Sequence, residues 1–387
     1  MSGHIAFVSG GYPYGDDPSY AFVKALVKEI AGLGVECTVI SPQSYARVYS
    51  GKARVRPKKW QHDAPNAGGV QIIQPMYLSC SNVTLAGGYS VSQFFFEKAV
   101  RKALFELESR PDVLYGHFWH SGICAARASD YDIPVVVAAG ESKIWADRLY
   151  PKRAIQRALP KIKGAICVSG KSLVESNEKG FLGNGNKPAI VVPNGVDLKI
   201  FKPQDKSFCR KKLGIAEDEF VVVYVGALSE RKGIERLAEA CRGAQDIRLL
   251  TLGTGPKEVR GDNITLVGKV AHEKIPEYLS AADIFALPTL AEGCCNAIVE
   301  AMACGLPIVS SDLDFNHDIL NTSNSILVNP LNIEEIANAV SLLRQDEALR
   351  KRLSLGALET ARGLALPIRA ARIINFIEET CEVDFQS

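Results

Sequence analysis

The chain reads as α/β, with two doubly wound domains on parallel sheets facing each other, and three observations predict it. Apolar runs alternate with amphipathic helical stretches from end to end. The runs are rich in β-branched residues and lack polar alternation, as in strands buried on both faces of a parallel sheet. The pattern breaks at a polar, charged stretch near the middle and then restarts. A chain of 387 residues is long for one compact domain and comfortable for two.

In the first half, HIAFVSGG predicts a strand, YAFVKALVKEIAGLG a helix and VECTVISP a second strand. DVLYGHF, IPVVVAAG, GAICVSG and AIVVPNG follow as short apolar runs, each closed by glycine or a turn residue. Residues 194–219, NGVDLKIFKPQDKSFCRKKLGIAEDE, read as linker. The second half opens with FVVVYVG and a helix at GIERLAEACRG. Strands IRLLTLG and ITLVG, a helix at HEKIPEYLSAA, and strands IFALP and PIVSSD complete it. IRAARIINFIEETCEV is an amphipathic helix able to cap either domain. Ligands of open α/β sheets bind beyond the carboxyl ends of the strands, so the cleft between the domains is the expected site.

No stretch approaches the ~20 apolar residues that span a bilayer, and MSGHIAFVSGG runs into a strand without a basic leader. Cytoplasmic residence is the expectation. The ten cysteines agree: they are scattered, without Cys-x-x-Cys or zinc spacing, and free buried thiols are expected. Charge is uneven: residues 1–187 hold 23 Lys/Arg against 15 Asp/Glu, the remainder 22 against 28. The positive charge gathers in Lys52–Lys59 and Arg148–Lys163. Such clusters are commonly solvated surface; the functional reading is peripheral contact with an anionic membrane or a phosphate-bearing lipid. No aromatic-interleaved basic motif accompanies them, which argues against nucleic acid.

Residues 288–309, PTLAEGCCNAIVEAMACGLPIV, carry the chemistry. After the strand, Glu292 stands in a loop, and a helix is expected to begin near Gly293. A helix start is an anion site by its free N–H groups and its dipole. Gly293, Cys294, Cys295 and Asn296 are small enough to admit a diphosphate. Glu300 lies one turn beyond Asn296 on the same face, where its carboxylate would accept ribose hydroxyls, with Glu292 toward the sugar. In VGALSERKGIERL, a strand ending at Gly226 leads to Arg231 and Lys232; Lys232 would neutralise the same diphosphate, where leaving-group charge builds. In GHFWHSG, His117 and His120 stand just past a strand, placed either structurally or to bond a substrate hydroxyl.

These residues carry a resemblance. VVPNGVD, VGALSERKGIE, LGTGP and EGCCNAIVEAMACGLPIVSSD together resemble glycosyltransferase family 4 over nearly the whole chain, more specifically in the second half. The resemblance implies the GT-B fold: Rossmann-like domains at 1–197 (acceptor-binding) and 198–370 (nucleotide-sugar-binding), with a C-terminal helix at 371–387 crossing back to the first. It implies a retaining, metal-independent enzyme with no cofactor, many relatives of which build bacterial surface polysaccharides. Glu292 and Glu300 match the family's paired glutamates, the second on the ribose, and Lys232 its diphosphate-binding lysine. Cys295 and Asn296 match its phosphate-binding helix start, His117 the histidine near the donor sugar, and Gly140–Ser142 a loop lining the cleft, where Glu141 is expected on the acceptor. His117 and Glu292 are thus the expected catalytic residues. Gly226, Arg231, Lys232, Gly293, Cys295, Asn296 and Glu300 are expected on the donor. Two departures stand out. Ala227 occupies a position where members commonly carry arginine, a charge Arg231 is placed to replace. The loop after the first strand reads GYPYGDDPSYAF, where Gly15, Asp16 and Ser19 either bind the acceptor or, with Asp17, cap the helix.

The expected activity is transfer of a sugar, on base rates from a uridine carrier, to a glycan or polyprenyl-diphosphate-linked acceptor hydroxyl. A nucleotide-sugar epimerase on the same scaffold would not need the basic clusters. A dinucleotide oxidoreductase lacks its Gly-x-Gly-x-x-Gly, of which LGTGP is a truncated match. Asp312-Leu-Asp314 reads as a loop rather than a metal signature, because it follows a late strand of a second domain. A non-catalytic sugar-nucleotide binder is the remaining alternative.

Overall fold

The computed structural model describes residues 3–15, 17, 19–64, 67–80, 83–85, 88–130, 132–242 and 246–385. The chain divides into two compact units, Met1–Val192 with Arg369–Ser387, and Pro193–Ile368.

The first unit is built on an eight-stranded sheet. Its strands are β1 (His4–Val8), β2 (Glu36–Ile40), β3 (Lys59–Ala64), β4 (Ala67–Ile73), β5 (Val113–His117), β6 (Val135–Ala139), β7 (Ile162–Cys167) and β8 (Ala189–Val191). They lie in the order β8-β7-β6-β5-β1-β2-β4-β3. All neighbours are parallel except β3, which runs antiparallel to β4 at the edge. Successive residues enter opposite cores: Ala6, Val8, Leu114, Val135 and Val137 pack on one face, and Ile5, Phe7, Val113, Tyr115 and Val136 on the other. Double-sided burial explains the unbroken apolar runs. The second core also takes Val23, Leu26, Val27 and Ile30 of helix α1 (Ala21–Gly32) and the apolar stripe Ala370, Ile373, Ile374 and Ile377 of the C-terminal helix, Leu366–Cys381.

The second unit holds β9 (Phe220–Val225), β10 (Ile247–Leu252), β11 (Ile264–Gly268), β12 (Ile284–Leu287), β13 (Ile308–Ser311) and β14 (Ser325–Val328). All are parallel, in the order β11-β10-β9-β12-β13-β14. The order reverses beside β9, so the β9 and β12 loops flank a switch point at the carboxyl edge, where such sheets bind ligands.

Three expectations are corrected. The units part at Val192/Pro193 rather than after residue 197, because Val196 exchanges backbone bonds with Leu364 and Leu366 and so belongs to the second unit. The chain rejoins the first unit at Arg369 rather than 371. The expected linker is folded: Lys206–Leu213 is a helix capped by Asp205, and Arg210, 2% exposed, pairs with Asp283 at 2.9 Å and donates to the carbonyls of Ala281 and Glu217. Arg210 read as a linker charge because Ala281 and Asp283, its partners there, lie about 70 residues away in sequence.

Candidate active site

In the second unit, two glycines let strand-end loops approach closely, Gly233 those after β9 and β12 and Gly253 those after β10 and β9. Gly233 has φ of 78°, and a Cβ there would lie 2.2 Å from the Pro288 carbonyl oxygen. A Cβ on Gly253 would lie 1.9 Å from the Gly226 carbonyl oxygen. Close approach to Gly226, together with its own φ of 143°, explains the glycine at the end of β10. The loops are also tied by the Leu290 N–H donating to the Arg231 carbonyl at 2.8 Å.

The result is a charged knot. Glu292 Oε1 accepts from Lys232 Nζ at 2.7 Å, from Arg231 at 2.9 Å and from the Thr289 hydroxyl at 2.8 Å. Lys232 Nζ also lies 3.8 Å from Cys295 Sγ. Burial draws the Lys232 ammonium's pKa down, but Cys295 and Glu292 outweigh it, and the group titrates above its ordinary range. Burial raises the Cys295 thiol, against the pull of Lys232. Glu292, expected to face the sugar, holds the two cations expected on the diphosphate. Arg231 is turned to Glu292 and to the Ala291 carbonyl, and Ala227 contributes its carbonyl to the Tyr224 hydroxyl at 2.7 Å.

The helix after this loop is Asn296–Ala303, three residues later than expected: Gly293, Cys294 and Cys295 remain in the loop. No side-chain cap bond closes its N-terminus at Cys295. Asn194 holds the turn, its Nδ2 donating to the Cys294 carbonyl at 2.9 Å and to Asn296 Oδ1 at 2.7 Å. The sequence reading gave Asn194 no role; the asparagine of VVPNGVD was the available signal. One turn into the helix, Glu300 Oε1 meets His272 Nε2 at 2.8 Å, and His272 was likewise missed.

In the first unit, His117 ends β5, and neither ring nitrogen has a partner among the described residues. The rings of Tyr20, Phe22 and Phe118 surround it. Burial, then Arg369 and His120, push its pKa down to about 3, so it is neutral at physiological pH. His120 falls to about 4 by burial. Glu141, expected on the acceptor, is engaged elsewhere: its oxygens accept the Trp119 and Gly140 N–H groups, each at 3.0 Å, at the start of helix Trp119–Ala128. Burial raises its pKa to about 7. Gly15 is open on all sides at φ of 58°, and the exposed Ser19 donates its N–H to Asp17, which pairs with Arg56. Neither Asp17 nor Ser19 caps α1, whose N-cap is Tyr20. Asp16 lies outside the described residues. Arg56 also donates to the Tyr12 carbonyl, so the Lys52–Lys59 cluster is not wholly surface charge. Asp312 and Asp314 are exposed beyond β13, beside His317. Among the described residues, no three His, Cys, Asp or Glu side chains gather as a metal site.

Solved structures of the same architecture define the class. Sucrose-phosphate synthase from Thermosynechococcus elongatus superposes with a TM-score of 0.77 at 19% identity, over 97% of this chain and 98% of that one. HepE of Anabaena, in complex with UDP and glucose, superposes with a TM-score of 0.69 at 18% identity, over 97% and 99%. The fold is therefore GT-B. Residues 21–200 match the family profile described as Glycosyltransferase Family 4, and residues 219–346 that described as Glycosyl transferases group 1. D-inositol 3-phosphate glycosyltransferase of Segniliparus rotundus is 30% identical over 302 residues, 68% of this chain and 67% of that protein. TuaC of Bacillus subtilis (strain 168), a glycosyltransferase assigned to teichuronic acid biosynthesis, is 27% identical over 374 residues, 92% and 93% of the two chains. The chain belongs to glycosyltransferase family 4.

Proposed function

We propose that the protein transfers a sugar, with retention of anomeric configuration, from a uridine diphosphate sugar to an acceptor hydroxyl in polysaccharide or glycolipid assembly. The observation that carries this is the convergence of Lys232 and Arg231 on Glu292 Oε1, beside the N-terminus of the Asn296–Ala303 helix. An incoming diphosphate takes over the cations that Glu292 now holds. The bond from the sugar's anomeric carbon to the phosphate oxygen breaks, and the fixed positive charge stabilises the departing diphosphate. The bond to the acceptor oxygen forms on the same face, and the acceptor's proton passes to the leaving diphosphate. With two cations beside a helix start, the site supplies the charge that a metal ion would otherwise provide.

His117, neutral with both nitrogens open, serves a sugar hydroxyl as donor or acceptor. Glu141 supports that part of the chain by holding the Trp119 and Gly140 amides rather than touching the acceptor. Uridine is supported by HepE, which was solved with UDP, and a polysaccharide or lipid-linked acceptor by TuaC. Among the described residues no helix is long and apolar enough to cross a membrane. Exposed Lys52, Lys58, Lys59, Lys152 and Arg153 support a peripheral role at an anionic, cytoplasm-facing membrane.

The test is thermal shift against UDP, GDP, ADP and their sugars, with and without EDTA, followed by NMR assignment of the product anomer. A stabilisation by UDP that ignores EDTA, with a retained anomer, is the expected result. Stabilisation only with metal, or an inverted product, sinks the mechanism.

A further inference from the structure

Glu300 does not stand alone. The chain leaves β11 at Gly268, turns through the short 3-10 turn His272–Lys274 and enters helix Ile275–Ala281. This path brings the His272 ring to Glu300 from a different element, with Nε2 2.8 Å from Oε1. The ring is held on another side by Phe201, whose centroid lies 4.9 Å away at 61°. Glu300 has little freedom to turn elsewhere, since its side chain is only 13% exposed. Each carboxylate oxygen has two lone-pair sites, so Oε1 can accept from His272 and still accept a hydroxyl, while Oε2 remains for a second.

We propose that His272 is a positioning residue for the ribose: it holds the Glu300 carboxylate in the one orientation in which both oxygens meet a cis-diol. This rests on the reading of Glu300 as the ribose-binding carboxylate. A bare glutamate on a helix face would have to be ordered when the nucleotide arrives. Here that ordering is done in advance, and its loss falls only on ligands that carry the diol. The selectivity of the site for ribose over deoxyribose is therefore a property of the His272–Glu300 pair. The hydrogen bond to Glu300 is the largest influence on His272, and with the charges of Glu300, Glu273 and Asp197 it raises the imidazole pKa against the effect of burial. Glu277, on the helix that follows, is paired with Lys212 and Lys274. Protonation strengthens the hold on the carboxylate, so the selectivity declines as pH rises through the raised pKa.

The experiment is isothermal titration of the full chain with UDP and 2′,3′-dideoxy-UDP at pH 6 and pH 8, for wild type, His272→Ala and His272→Gln. GDP and ADP pairs are used if wild type binds those instead. Wild type should prefer the ribonucleotide by roughly 10- to 100-fold, the value of hydrogen bonds to a charged acceptor. His272→Ala should cut that preference by roughly 5- to 10-fold and leave dideoxy affinity within about twofold. His272→Gln, whose amide N–H reaches the same oxygen, should restore most of the preference and make it independent of pH. An unchanged preference in His272→Ala overturns the proposal and leaves Glu300 on the ribose. Equal weakening of both ligands makes His272 merely structural and overturns it too. If wild type binds both forms equally, or binds no nucleotide, the ribose reading of Glu300 itself falls.

Discussion

Removing the Lys232 ammonium is the sharpest perturbation of the proposed donor site. In the structure Lys232 lies 2.7 Å from Glu292, and its side chain is 13% exposed. A diphosphate that takes its place makes a charge-assisted hydrogen bond to a largely desolvated cation, worth about 1.5–3 kcal/mol net. Lys232→Ala should therefore weaken UDP binding by roughly 10- to 100-fold. The fold should survive, because Glu292 keeps Arg231 at 2.9 Å and the Thr289 hydroxyl at 2.8 Å, and no buried charge is stranded. Calorimetric titration with UDP and with uridine, which has no phosphate, isolates the effect. Uridine affinity should stay within about twofold, the margin of an untouched contact. A UDP loss below about threefold, or an equal loss for uridine, refutes the assignment, since neither follows from a phosphate contact of this strength.

Glu292→Gln frees both cations and should bind UDP about 3- to 10-fold more tightly, because the diphosphate no longer displaces a carboxylate attracted by roughly 1 kcal/mol; turnover of a UDP-sugar should fall in the same variant. Unchanged UDP affinity would mean that Glu292 does not compete for the site. Glu141 has a folded-state pKa raised to about 7, so its contribution to stability is fully present below its unfolded value near 4.3 and is lost as pH rises through 7. Urea titrations should show wild type losing about 3 kcal/mol more than Glu141→Gln between pH 4.5 and pH 8; parallel profiles refute the shift. Arg210→Ala leaves Asp283 with Lys206 and the Val221 N–H and strands the Ala281 and Glu217 carbonyls. It should cost about 3 kcal/mol and lower the Tm by roughly 6–12 °C in calorimetry, without altering UDP affinity below the transition.

Much of this was legible in order along the chain. Double-sided burial writes itself into IAFV and FVVVYV as unbroken apolar runs, and the small residues between Glu292 and Glu300 marked a loop leading into a helix. Elements that close late were not legible. The antiparallel edge strand Lys59–Ala64 reads as a polar run because one of its sides has no neighbouring strand. Arg210 looked like a linker charge because its role depends on Asp283, which sequence distance hides.

The sequence by itself determined the fold class, the restart of the pattern near residue 220 and the motifs that mark the family. Those properties depend on periodicity and short spacing, which one stretch of chain specifies alone. Only the tertiary structure decided what each carboxylate does before a ligand arrives. Glu292 holds Arg231 and Lys232, Glu141 holds two backbone amides, and Glu300 meets His272. A charge takes the nearest partner in space, and for Glu292 and Glu300 that partner lies 28 to 61 residues away along the chain.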